Sequence, residues 1–352
     1  MADGTETTNL DPAATDGASE NARNGARKRR DPDEPSVVVG LGASAGGVSI
    51  LQQFFNDMPA DSGIAFVVVM HLSPDFESQL AAVLQQKTSM PVVEVSDPVR
   101  VRPNHVYVIP PNHQLAFDDS MLHLREPQQA RGRRVTIDLF FRTLAQAYGQ
   151  RAVCVILSGS DTDGVIGLKH VRAQGGVTIA QDPEEAEFAS MPQSAIATGM
   201  VDWVLKIGEL PARLTRMVAN ENAMRLPPEI VDAEEPDAKV GDAPGGETIS
   251  DETHDPDDES AMTAVLNHVR VQTGHDFTHY KRATILRRIA RRLQVNSLES
   301  IPHYLEFLRT HPAEARSLVH DLLIGVTHFF RDQESFLALD KHIPHIFAGR
   351  KA

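Results

Sequence analysis

The 352 residues carry 41% hydrophobic side chains and a formal net charge of -14, enough apolar content for two or three packed domains. The longest uninterrupted apolar run, residues 64–70, is far too short to cross a bilayer, and no apolar segment of the secretory kind opens the chain. The single cysteine, Cys154, excludes an intrachain disulfide or a cysteine-built zinc site and fits a reducing, cytoplasmic setting.

Residues 1–35 are polar and poor in large apolar side chains, so they are expected to stay disordered. Their basic patch, Arg27-Lys28-Arg29-Arg30, reads as a solvated tail charge. Strands and helices then alternate. Residues 37–40 predict a buried strand and 47–58 a helix; 64–70 a second strand and 77–86 a helix. Residues 106–109 predict a short strand and 115–124 a hairpin turning at Asp118-Asp119-Ser120. Residues 136–148 form an amphipathic helix with Ile137, Phe140, Phe141 and Leu144 on one face. A strand over 152–157, a helix over 164–173 and a strand over 177–180 follow. Continuous apolar strands separated by helices predict an α/β fold: a doubly wound, mostly parallel sheet with helices on both faces, over residues 36–219.

Residues 226–260 hold thirteen Asp and Glu against one Lys. That segment supplies -12 of the net charge and is expected to be an extended, self-repelling linker, which leaves the remainder near neutral. The overall acidity therefore says little about either folded part. From 261 to 347 only helical periods occur, which predicts a small all-α domain.

The stretch VVVGLGASAGG, residues 37–47, fits two site motifs. Gly40-Leu-Gly42-Ala-Ser-Ala45 matches the turn that cradles a dinucleotide pyrophosphate, and Gly42-Ala-Ser44-Ala-Gly46 matches the turn that exposes a nucleophilic serine. A dinucleotide site expects an acid at the end of the second strand. His71 stands there instead, and the first acid is Asp75, beyond Pro74. A serine nucleophile needs a base, and the base needs an orienting group. Ser44, His71 and the Asp161/Asp163 pair of LSGSDTDG each follow the carboxyl end of a predicted strand, and adjacent strands lie about 5 Å apart. The helix opened by Ser44 also directs its positive end at a developing oxyanion. Taken singly, Ser44 reads equally well as a helix cap, His71 as a structural histidine and Asp163 as a turn residue; their shared placement favours the nucleophilic reading.

GASAGG, VVVMHLSPDFESQLAAVL, VYVIPPNHQL, TIDLFFRTLA, SGSDTDGVIGL and the closing GGVTIAQDPEEAEFASMPQSAIATGMVDWVL occur in collinear order. Over residues 36–218 they resemble the catalytic domain of the bacterial chemotaxis glutamate methylesterases, the CheB type. The resemblance implies Ser44 as nucleophile, His71 as general base and acid, and Asp163 as orienting carboxylate. It implies hydrolysis of γ-glutamyl methyl esters on the cytoplasmic helices of methyl-accepting chemoreceptors, with glutamine deamidation at the same positions. It implies no metal and no organic cofactor, no nucleic-acid partner and no membrane insertion. Ser160 and Asp161 depart from the family's Met and Gly ahead of the catalytic Asp-Gly, which affects how the substrate carbonyl is held and adds a charge near the triad.

GHDFTHYKRATILRRIARRL and LLIGVTHFFRD resemble the N-terminal helical domain of the chemoreceptor methyltransferases, the CheR type. Residues 280–293 read as a helix with Ile285, Leu286, Ile289 and Leu293 on one face and Lys281, Arg287, Arg288, Arg291 and Arg292 largely elsewhere. By composition the basic side is a solvated face; by resemblance it docks glutamate-rich receptor helices. Thr327 and Arg331 match positions that contact S-adenosylmethionine in that family. The sequence supplies no second glycine-rich α/β segment, so the expectation is an esterase–methyltransferase fusion cut short before its cofactor domain, transferring no methyl group. The 35 residues ahead of the esterase part are likewise too few for a phosphoacceptor receiver domain. Two alternatives remain open at this stage: a non-catalytic receptor-binding adaptor and a dinucleotide-binding oxidoreductase.

Overall fold

A computed structural model describes residues 33–71, 78–118, 120–126, 135–224 and 256–324. The basic patch at 27–30, Asp75, Thr327 and Arg331, most of the expected tail and most of the acidic linker lie outside the described residues.

The α/β part runs β1 (Val37–Ala43), α1 (Gly47–Asp57), β2 (Ile64–Met70), α2 (Leu80–Gln85), β3 (Val92–Glu94), β4 (Val99–Arg100), β5 (His105–Val108), β6 (Gln114–Asp118), β7 (Met121–Arg125), α3 (Thr136–Tyr148), β8 (Ala152–Ile156), α4 (Val165–Ala173), β9 (Val177–Gln181), α5 (Ser190–Ala197), β10 (Trp203–Leu205) and α6 (Leu210–Ala223). Seven strands pair in parallel in the order β10-β9-β8-β1-β2-β5-β3. The expected hairpin, β6 with β7, forms a separate antiparallel sheet with β4. The chain starts at the centre with β1, builds outward through β2, then returns over α3 to lay β8 on β1's other side. β1 therefore sits where the strand order reverses, the place in doubly wound sheets where a crevice opens at the carboxyl ends.

Every residue of β1, β2 and β8 is buried, because helices cover both faces. Val37, Val39 and Leu41 pack towards α1 and α6 with Leu51, Phe54 and Leu214. Val38 faces the opposite core, with Ile137, Phe140 and Phe141 of α3. Gly40 and Gly42 lie on this second face, and β1 runs to Ala43, so Gly42 is inside the strand and not beyond it as the shorter expected strand implied. A Cβ on Gly40 would stand 2.7 Å from Phe140 Cε1, and one on Gly42 would stand 2.7 Å from Ile137 Cγ2. The glycines thus let α3 lie directly on the strand, which accounts for the G-x-G spacing without a pyrophosphate. Gly40→Ala is expected to cost about 1–3 kcal/mol by overpacking; a melting temperature equal to that of the parent protein would refute this account of the spacing.

The all-α part comprises α7 (Pro256–Thr273), α8 (Arg282–Asn296), α9 (Ile301–Thr310) and α10 (Pro312–Leu323). Its core joins Val265, Ile289, Leu293, Tyr304, Leu308 and Leu318. Two expected boundaries shift. The linker was expected to reach 260, but α7 begins at Pro256. Proline at a first helical position and acids in a first turn favour a helix start, so acidity that reads as linker is partly helix. The tail was expected to reach 35, but Arg151 holds its end, with Nη2 2.6 Å from Glu34 Oε1 and Nη1 donating to Pro35 O at 3.2 Å.

The larger correction concerns α8. Its apolar face packs as expected, but Arg288, Arg291 and Arg292 are buried as well. They are neither a solvated face nor one open to a receptor. The amphipathic reading assigns water to the polar side of a helix, whereas guanidiniums are buried when carboxylates and carbonyls receive them.

Candidate active site

In the β1–β2 ladder Ala43 pairs with Met70, so Ser44 and His71 are the next residues on two neighbouring strands. Asp163 arrives from β1's other neighbour, in the loop between β8 and α4. His71 Nε2 lies 2.9 Å from Asp163 Oδ2. Both side chains are almost or wholly out of water. A carboxylate at Nε2 fixes the proton there and leaves Nδ1 as the ring nitrogen free to accept.

Asp163 is itself held from four directions. Its Oδ2 also accepts from Ile137 N at 2.8 Å, and its Oδ1 accepts from Asp138 N and Gly164 N, each at 2.9 Å. Ile137 and Asp138 form the first turn of α3, whose unpaired amides and positive end suit a carboxylate. Asp138 returns the arrangement: its Oδ1 accepts from Gly167 N in the first turn of α4, at 2.8 Å. Each helix start is therefore capped by an aspartate from the other. This gives Asp138, the third residue of the TIDLFFRTLA segment, a structural task.

The serine loop is braced by Ser158, which sequence reasoning passed over. Ser158 O accepts from Ser44 N at 3.0 Å, and Ser158 Oγ donates to Ala45 O at 2.9 Å. Its hydroxyl also accepts from Phe188 N at 3.0 Å, while its own N–H reaches Gln181 Oε1 at 2.9 Å. One buried hydroxyl so ties together the loops after β1, β8 and β9. The only signal in the sequence was a small polar residue at a strand end. Gly46, at φ 73, takes the left-handed turn into α1; a Cβ there would meet Ser158 Oγ at 2.8 Å and Glu187 Oε2 at 2.9 Å.

The family model for CheB methylesterase matches residues 39–214, half of the chain. The chain belongs to the CheB methylesterase family. A putative protein-glutamate methylesterase/protein-glutamine glutaminase of Leptospira interrogans is 33% identical over 181 residues, 50% of this chain and 94% of that protein. The model for the all-alpha domain of CheR methyltransferase matches residues 260–323. A 104.1 kDa protein of Rhodobacter capsulatus is 35% identical over 265 residues, 75% of this chain, which spans 27% of that protein's length. The solved CheB methylesterase catalytic domain of Thermotoga maritima is matched over its whole length and 52% of this chain, at 29% identity and a TM-score of 0.49.

Within the methylesterase-family domain the two departures fall on the β8–α4 loop. Ser160 is exposed. Asp161 turns onto its own backbone, with Oδ1 accepting from Thr162 N at 2.6 Å. Among the described residues no helix is long and apolar enough to cross a membrane.

Proposed function

We propose that this chain hydrolyses γ-glutamyl methyl esters on chemoreceptor helices, with Ser44 as nucleophile, His71 as general base and acid, and Asp163 as the orienting carboxylate. The carrying observation is the 2.9 Å bond from His71 Nε2 to a fully buried Asp163 that three backbone amides also hold. Ser44 Oγ attacks the ester carbonyl as His71 Nδ1 takes its proton. The tetrahedral oxyanion forms beside the amino end of α1 and is stabilised by its dipole. Collapse breaks the C–O bond to the methoxy group, which leaves as methanol with the proton from His71. Water then attacks the acyl-serine as His71 takes its proton, and His71 returns that proton to Ser44 Oγ as the acyl C–O bond breaks, releasing the γ-carboxylic acid, which ionises to the carboxylate. The same steps with an amide leaving group give ammonia from glutamine. No metal or organic cofactor enters this scheme.

The name of the Leptospira relative carries both activities, which supports the reading. Methanol release from methylated receptor fragments tests it. Ser44→Ala is expected to abolish release while leaving the fold intact; release at the parent rate from that variant would remove the mechanism. A fluorophosphonate that labels Ser44 in the parent separates an esterase from a receptor-binding adaptor, which would bind receptor without labelling.

A further inference from the structure

The buried arginines of α8 meet the methylesterase-family domain. Arg291 Nε donates to Gly176 O at 3.0 Å, and its two terminal nitrogens bond the carboxylates of Asp202 and Asp321. Arg288 Nη1 donates to Arg172 O at 3.0 Å. From the other side, Arg172 of α4 reaches across to Asp321 of α10, with Nε 2.8 Å and Nη2 2.7 Å from Oδ1. The side chains of Arg291, Asp202 and Asp321 are essentially without solvent contact. Burial pushes the Asp321 carboxyl up, but Arg291, Arg172 and Arg292 together outweigh it and hold the group below its ordinary range. Burial lowers Arg288 to about 10, so it remains charged at neutral pH.

The contact extends around the edge of the sheet. Arg213 of α6 stacks 3.9 Å above the Trp203 ring and donates to Val295 O at 2.9 Å, and Asn220 donates to Leu298 O at 3.2 Å. Apolar side chains are exchanged too: Val295 of α8 joins the α1/α6 core, and Met224 beyond α6 joins the helical core. α4 and α6 cover opposite faces of the sheet, so α8 spans from one to the other.

We infer that the arginines of α8 seat the helical domain on the methylesterase-family domain as one body, at the end of the sheet away from the Ser44–His71–Asp163 site. Gly176 and Asp202 precede β9 and β10, whereas the site follows the carboxyl ends of β1, β2 and β8. Five-residue strands place the two ends roughly 15 Å apart. Substrate therefore reaches the triad with the helical domain in place. Arg288 and Arg291, which the resemblance offered to an acidic receptor helix, are occupied by Asp202, Asp321 and two backbone carbonyls.

A specific protease site inserted between residues 225 and 255, followed by cleavage and size-exclusion chromatography, tests this. The cut pieces are expected to co-elute, and a glutamate-rich receptor-helix peptide in excess is expected not to part them. Arg291→Ala on the helical side and Asp202→Ala on the esterase side are each expected to raise the dissociation constant by at least about a hundredfold. Ester hydrolysis by the Asp202→Ala piece, and circular dichroism of the Arg291→Ala piece, report that each remains folded. Separation of the unsubstituted pieces, their displacement by the peptide, or unchanged co-elution of both folded variants would overturn the inference.

Discussion

Asp163→Asn is expected to lower ester turnover by about 10⁴-fold and also to lower the melting temperature, whereas Ser44→Ala loses turnover alone. The reason is that the carboxylate has no face on which an amide NH₂ fits. At the Oδ2 position the NH₂ would point at Ile137 N–H and at His71 Nε2, and at the Oδ1 position at Asp138 N–H and Gly164 N–H. In the first case His71 must shift its proton to Nδ1, and the nitrogen left for the serine becomes a donor. In the second, two buried amides of adjoining helix starts lose their acceptor, which costs about 1–3 kcal/mol apiece. Thermal unfolding beside methanol release measures both. A variant that loses activity with an unchanged melting temperature would show that Asp163 does not hold α3.

Glu314→Ala is expected to cost about 3–5 kcal/mol, enough to open a helical domain of this size. Glu314 accepts from Arg292 Nε and Nη2, each at 2.6 Å, from Tyr304 Oη at 2.9 Å and from Asn296 Nδ2 at 3.0 Å. It thus joins α8, α9 and α10 through one carboxylate. Burial disfavours the charge on Arg292, but its bonds to Glu314 outweigh that and raise its pKa. Without Glu314 the buried guanidinium keeps, among the carboxylates of the described residues, only Asp321, 3.6 Å away. Hydrogen exchange should show fast amides through α8, α9 and α10, with β1, β2 and β8 still protected. Slow exchange in the helices at the parent level would contradict the assignment of Glu314 as their shared anchor.

The sheet was legible where its strands are long and apolar. Residues 64–70 could be little else, and the central strand β1 and its other neighbour β8 carry the same signal. Their carboxyl ends also marked the site, because a parallel strand delivers its next residue to one rim. β3 and β4 escaped notice, being two or three residues long and exposed at Glu94 and Arg100. Their strand character comes from a neighbour's hydrogen bonds and not from their own composition. Ser158 was invisible for a related reason: its partners at Ser44, Ala45, Gln181 and Phe188 lie more than twenty residues away in sequence. The arginines of α8 were visible, but their destination was not, since periodicity describes one helix and cannot say that a second domain lies against its polar side.

The mutual capping of α3 and α4 by Asp163 and Asp138 bears on how relatives of this chain are judged. An aspartate that supports folding as well as chemistry is retained under selection for abundance alone. A descendant that abandoned hydrolysis would keep Asp163 to preserve two helix starts, whereas Ser44, whose hydroxyl is not part of either cap, would drift first. In ancestry and in mutational screens alike, Ser44 is the position that reports whether the enzyme is still in use.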